Sequence, residues 1–209
     1  MTTNKLHLLI IDNYDSFSYN LVEHLRAFDY VSYTLLKHDD PELFSDCYDG
    51  IIISPGPGLP AESGFLLKAI SFYIGRVPIF GVCLGLQAIV EHYGGSLKQL
   101  DTVFHGIKDE LTHFDNSPLF DGIESSFMAG RYHSWVANRS DLPDKLECTV
   151  VDSEQTIMAV QNQQESCYAV QFHPESFMTE EGHIIFNNFI ALVLDFKENK
   201  SKEIKEFSD

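Results

Sequence analysis

The chain has 209 residues, enough for one globular domain with a full core, and 44% hydrophobic with 22% charged residues is ordinary for a water-soluble fold. A formal net charge of −17 disfavours binding to a nucleic-acid backbone, and no run of about 18 apolar residues offers a membrane span. Cys47, Cys83, Cys148 and Cys167 lack C-x-x-C spacing and residues 1–5 lack the marks of a secretory signal, so a cytoplasmic protein without a zinc or disulfide framework is expected.

Residues 6–11 form a continuous apolar run ending at Asp12, the pattern of a strand buried on both faces. Phe17, Leu21, Leu25 and Phe28 then recur at helical spacing, with Ser16 as the expected N-cap. Strands are predicted over residues 31–36 and 50–54, the second stopped by Pro55. A helix over 63–73, a strand over 78–82 and a helix over 85–93 follow, the last closed by Gly94-Gly95. Alternating β and α elements with short connections predict an α/β fold: an open, mostly parallel sheet with helices on both faces. After residue 97 the strand-like pieces shorten (107–112, 126–130, 146–152, 157–160 and 168–172), which predicts an added antiparallel or mixed patch and no second domain. A closing helix is expected over 181–196. The charged segment 197–209 is expected as a tail, frayed or disordered, so the domain is drawn as 1–196.

In such sheets ligands bind beyond the carboxyl ends of the strands. Three candidate features fall there: Asp12-Asn13-Tyr14-Asp15, Pro55-Gly56-Pro57-Gly58, and Cys83. Gly81-Val82-Cys83-Leu84-Gly85 is a cysteine version of the nucleophile elbow, in which the glycines leave room for a sharp strand-to-helix turn. Gln171-Phe172-His173-Pro174-Glu175 follows another strand. If Pro174 keeps the chain extended there, His173 and Glu175 share one side. A thiol, an imidazole base and a carboxylate that orients the base make a triad, and a thiolate is favoured beside an imidazolium at a helix N-terminus. The backbone N–H groups of Gly58 and Leu84 are candidate oxyanion donors, since Pro57 has none. His173-x-Glu175 without a following Pro-Cys-x-x-Cys does not fit a zinc deaminase, and no Walker loop, G-x-G-x-x-G or H-E-x-x-H occurs.

At these residues the chain resembles the class I (triad) glutamine amidotransferases, and among them the small subunits of anthranilate synthase and aminodeoxychorismate synthase. The resemblance runs over residues 6–194. It is carried by Asp12-Asn13-Tyr14-Asp15-Ser16-Phe17, Ser54-Pro55-Gly56-Pro57-Gly58, Gly81-Val82-Cys83-Leu84-Gly85-Leu86-Gln87, Arg131-Tyr132-His133-Ser134 and Gln171-Phe172-His173-Pro174-Glu175-Ser176. It implies a flavodoxin-like fold and hydrolysis of glutamine to glutamate and ammonia. Cys83 is then the nucleophile, His173 the general base and acid, and Glu175 its orienting partner. Gly56, Gly58, Leu84, Gln87, Ser134 and Trp135 correspond to the glutamine site. No metal or cofactor is implied in this subunit. The implied partner is a chorismate-using synthase subunit (component I), which is expected to use Mg²⁺ and to receive the ammonia.

Two positions depart from the family pattern. Leu86 stands where histidine is usual, and His105-Gly106-Ile107 stands for His-Gly-Lys, with Lys108 one place later. Two other readings compete: a catalytically silent regulatory subunit of the same fold, and a stand-alone γ-glutamyl hydrolase. The intact Cys83, His173 and Glu175 speak against the first, and the Asp12-Asn13-Tyr14-Asp15 segment against the second.

Overall fold

The computed structural model describes residues 5–101 and 103–206. In chain order the elements are β1 (Leu6–Asp12), α1 (Ser18–Leu25), β2 (Val31–Lys37), β3 (Gly50–Ile53), α2 (Leu66–Tyr73), β4 (Ile79–Val82), α3 (Leu84–His92) and β5 (Leu97–Gln99). Then come β6 (Ile107–His113), β7 (Ser126–Arg131), β8 (Trp135–Ala137), β9 (Glu147–Val151), β10 (Ile157–Asn162), β11 (Cys167–Val170) and α4 (Gly182–Glu206). Nine strands form one sheet in the order β2-β1-β3-β4-β11-β10-β9-β6-β7. The first five run parallel, and β10, β9, β6 and β7 extend them as the antiparallel patch.

The continuous apolar run of β1 has a simple cause. Side chains alternate across a strand. Leu6, Leu8 and Ile10 enter the core on one face, while Leu9 and Ile11 enter the core on the other. β3 and β4 divide in the same way, with Ile52, Phe80 and Val82 on the first face and Ile51, Ile53 and Ile79 on the second. Leu21 and Leu25 of α1, with Phe186, Phe189 and Val193 of α4, close the first face. Leu66 and Ile70 of α2, with Leu86, Ile89 and Val90 of α3, close the second. Each such side chain stabilises the fold by about 1.5–3 kcal/mol through its removal from water.

Several expectations need adjustment. Helix α1 starts at Ser18, and Ser16 does not cap it; the Asp15 carboxylate accepts the Phe17 N–H instead, at 2.7 Å. The last strand of the shorter set lies parallel beside β4, with Val170 opposite Val82. A separate two-stranded sheet of β5 and β8 is present that sequence patterning did not reveal. Helix α4 does not stop at residue 196 but continues to Glu206. Lys197 accounts for the first part of that extension, donating to the Lys5 carbonyl and the Asp49 carboxylate, each at 2.9 Å. Residues 207–209 of the expected tail lie outside the described residues. No helix among the described residues is long and apolar enough to cross a membrane.

Candidate active site

Strand β4 delivers Cys83 and strand β11 delivers His173, and the two strands are neighbours. The Cys83 N–H donates to the Val170 carbonyl at 2.8 Å, so β11 is still paired where the turn into α3 begins. Cys83 sits at φ +53° and ψ −98°, a backbone region that L side chains rarely enter. Strain of this kind costs roughly 1–3 kcal/mol and persists only where the surroundings impose it. Here the glycines on either side impose it. A Cβ on Gly81 would lie 2.7 Å from the Gly85 carbonyl carbon, and one on Gly85 would lie 3.0 Å from the Ile53 oxygen. The helix start therefore packs directly on the strand ends, and Cys83 is left at its N-terminus with 7% of its surface exposed.

His173 and Glu175 meet through a turn and not through extended chain. Strand β11 ends at Val170, and the Ser176 N–H donates to the His173 carbonyl at 3.2 Å, closing residues 173–176 into a turn. Pro174 occupies its second position, where a fixed φ is favourable. The expectation that Pro174 keeps this segment extended is thus corrected, although the two side chains do share a side. Nδ1 of His173 lies 2.7 Å from Glu175 Oε1. Both residues are buried. The turn is held from outside: the His173 N–H donates to the Gly130 carbonyl at 2.9 Å, and the Thr179 hydroxyl donates to the His173 carbonyl at 2.6 Å.

Burial alone would lower the His173 pKa, but the Glu175 carboxylate and the nearby Cys83 side chain raise it well above the ordinary imidazole value. Its Nε2 atom is buried and makes no full hydrogen bond among the described residues, leaving that nitrogen free for a reacting group. The ring is boxed by Phe17 and Tyr132, with centroids 5.1 and 4.7 Å away. Phe17 is delivered by the loop after β1. Asp12 accepts from the Asp15 N–H and the Ser18 hydroxyl at 3.2 and 2.9 Å and pairs with Lys37. Burial would raise the Asp12 pKa, but Lys37 and these hydrogen bonds hold it below the usual carboxylate value.

A cleft of about 400 Å³ opens at this edge, lined by Gly56, Gly58, Cys83, Gln87, Ser134 and Trp135 together with Glu62, Tyr132 and His133. A larger cavity of about 560 Å³ lies elsewhere, between Tyr73, Arg76 and Lys197, away from these groups. Leu84 does not line the cleft; it is buried, and as the first residue of α3 its N–H has no intrahelical acceptor. A Cβ on Gly56 would fall 2.4 Å from the Asn13 Cβ and 2.7 Å from the Leu84 side chain, so only glycine fits. Asn13 ties this loop down: its N–H donates to Ser54 Oγ at 2.9 Å and its side-chain amide to the Ser54 carbonyl at 2.7 Å. Gly58 adopts φ +77°. Strand β8 pairs with β5 and carries Trp135 to the cleft, and the Ser134 carbonyl is occupied by the Leu100 N–H at 2.8 Å.

His133 is one of the lining residues, with Tyr132 and Glu62, to which sequence reasoning gave no role. Burial, then the charges of Arg131 and His173, push its pKa down to about 3, so it stands neutral beside the triad. Arg131 in turn pairs with Asp109 and Asp152 and lies 3.7 Å from the centre of the Phe104 ring. The two departures from the family pattern lie off the cleft. Leu86 is part of the core under the sheet, Ile107 is 45% exposed, and Lys108 pairs with Glu180.

Known proteins share this arrangement of chain. The sequence is 39% identical over 199 residues to the anthranilate synthase component 2 of Lactococcus lactis subsp. lactis, covering 94% of this chain and all of that one. It is 38% identical over 187 residues to the aminodeoxychorismate/anthranilate synthase component 2 of Bacillus subtilis, covering 88% of this chain and 95% of that one. Among solved structures, a Thermoplasma acidophilum protein provisionally assigned to GMP synthase superposes with a TM-score of 0.84 at 25% identity, over 94% of this chain and 98% of that one. The family description "Glutamine amidotransferase class-I" matches residues 9–192, which takes in Cys83, His173 and Glu175, and the chain belongs to that family.

Proposed function

We propose that this chain is the glutaminase subunit of a chorismate-using synthase, releasing ammonia from glutamine through Cys83, His173 and Glu175. One observation carries the reading: a strained cysteine at a helix N-terminus stands one strand away from a histidine whose second nitrogen is held by a buried glutamate. Cys83 Sγ gives its proton to His173 Nε2 and attacks the side-chain amide carbon of glutamine. The carbonyl oxygen becomes an oxyanion, for which the N–H groups of Leu84 and Gly58 are the proposed donors. His173, whose pKa the Glu175 carboxylate raises, passes that proton from Nε2 to the departing nitrogen, and ammonia leaves. The γ-glutamyl thioester remains. Water then adds to it, the imidazole taking the water proton, and the thioester breaks to give glutamate and free Cys83.

Glutamine itself would lie along the cleft. Gln87 Nε2 donates to both the Trp135 carbonyl and Gln171 Oε1, so both its amide protons are used. Its oxygen remains as an acceptor suited to the substrate's α-ammonium. The reading assigns no metal or cofactor to this chain; the Mg²⁺ is left to the synthase subunit.

The relatives' names support the partner. Both are called component 2, and the Bacillus subtilis protein is named for both synthases, so either chorismate product is within the reading. A cytoplasmic location goes with that assignment. The test is direct. A glutamine-analogue electrophile should label Cys83 alone among the four cysteines. Cys83→Ser should lower ammonia release from glutamine by at least about a thousandfold. Wild-type release from that variant would end the proposal.

A further inference from the structure

The geometry points to Gln171 as a positioning residue that holds the Cys83 sulfur through a side-chain hydrogen bond. Gln171 is fully buried and follows directly on β11, beside the turn that carries Cys83. Its Nε2 donates to Cys83 Sγ at 3.4 Å, an ordinary length for a bond to sulfur. Its Oε1 accepts from Gln87 Nε2 at 3.3 Å, and that same nitrogen donates to the Trp135 carbonyl at 3.0 Å.

This chain of contacts fixes which end of each amide is which. A backbone carbonyl only accepts, so the Gln87 atom facing Trp135 is its NH₂. That NH₂ requires an oxygen at Gln171, which leaves the Gln171 NH₂ facing sulfur. Turning Gln171 over would set two NH₂ groups against each other in a buried site. The sulfur is thus offered a donor by construction, and a donor favours a thiolate over a thiol. The inference rests on Cys83 being the nucleophile, but its consequence is a property of the sulfur that needs no glutamine. Cys83 shares its surroundings with four titratable groups, His173, His133, Tyr132 and Glu62, and substitution at 171 leaves all four in place.

The test is the pH dependence of iodoacetamide alkylation of the full-length chain, read by mass spectrometry on the Cys83 peptide so that exposed Cys47 does not interfere. Gln171→Met keeps the volume and removes the donor. The midpoint of Cys83 reactivity should move up by about one pH unit, a tenfold loss of thiolate at a fixed pH below it, from loss of one hydrogen bond to a charged group. Gln171→Glu replaces the donor with a carboxylate and should move it further. Gln87→Met removes only the anchor and should move it less, in the same direction; it serves as the reporter if a substitution at 171 does not fold. An unmoved midpoint in folded Gln171→Met, or in Gln87→Met where that is the reporter, would overturn the assignment. A wild-type Cys83 no more reactive than Cys47 would instead count against the nucleophile itself.

Discussion

A cysteine at φ +53° stores backbone strain that a glycine would not feel. The usual order of stability between alanine and glycine should therefore invert at position 83. Elsewhere glycine is worse by roughly 0.5–1 kcal/mol; here Cys83→Gly should be more stable than Cys83→Ala by about 1–2 kcal/mol, measured by urea unfolding. An alanine variant that is the more stable would mean the turn is not strained. Two of the buried histidines make a second pair of opposites. His133 is neutral in the fold with a pKa near 3, while in the unfolded chain it takes a proton near 6.5. Its native form is favoured above pH 6.5, and that stability is lost as pH falls toward 3, by about 2 kcal/mol at pH 5. His133→Gln should remove this acid-side loss. His173 has the other sign: its raised pKa adds stability below about 6.5, fading as pH rises through the folded value. His173→Gln should therefore lose most against wild type at acid pH. Cys83, His173 and Glu175 stood out in the sequence because a turn-forming glycine or proline lies within two residues of each. His133, Asn13 and Gln171 did not, because their roles rest on contacts to Arg131, Ser54 and Cys83, and the last two lie 41 and 88 residues away.

At the level of elements, the parallel strands β1, β3 and β4 were legible from their apolar runs, which two-sided burial demands. The three-residue strands β5 and β8 were not, since three residues hold no readable alternation, yet β8 carries the Trp135 wall of the cleft. The seating of α4 was equally hidden. Its first residue, Gly182, meets the active-site turn so closely that a Cβ would lie 1.9 Å from the Pro174 oxygen. Nothing in the sequence separates this glycine from one that simply starts a helix. Gly182→Ala must push Pro174 aside, and Pro174 joins His173 to Glu175. Displacements of about 1 Å at a reacting group can cost on the order of 100-fold in rate. Ammonia release by Gly182→Ala should fall by about that factor while circular dichroism retains the native signal. A rate near wild type would show that the turn does not depend on its seat against α4.

For the whole molecule, the question is how the site answers to a second subunit. Two large apolar side chains close in sequence to residues of the site face water: Phe177, 87% exposed and two residues beyond Glu175, and Tyr19, 67% exposed and two beyond the Phe17 that touches His173. Exposing one such ring is common, but two on the segments that carry His173 and its neighbour Phe17 form the kind of anchor that protein interfaces bury. Neither side chain lines the cleft beside Cys83. Docking the synthase over them would press on both sides of His173, through the loop after β1 and through the 173–176 turn, so glutaminase activity should rise on assembly. Phe177→Asp should leave the slow ammonia release of the isolated chain within about twofold, as expected of an exposed side chain outside the site. With chorismate and the synthase both present, the same variant should lose at least about tenfold of the stimulation expected of wild type, because a buried hot-spot aromatic is worth about 2 kcal/mol or more of binding. Titrating the partner separates the two ways this can happen. A right-shifted curve with full stimulation at saturation means Phe177 supplies only affinity. A reduced plateau means it also transmits the contact to His173. An unchanged curve would mean that the synthase docks elsewhere and that Phe177 takes no part in the contact.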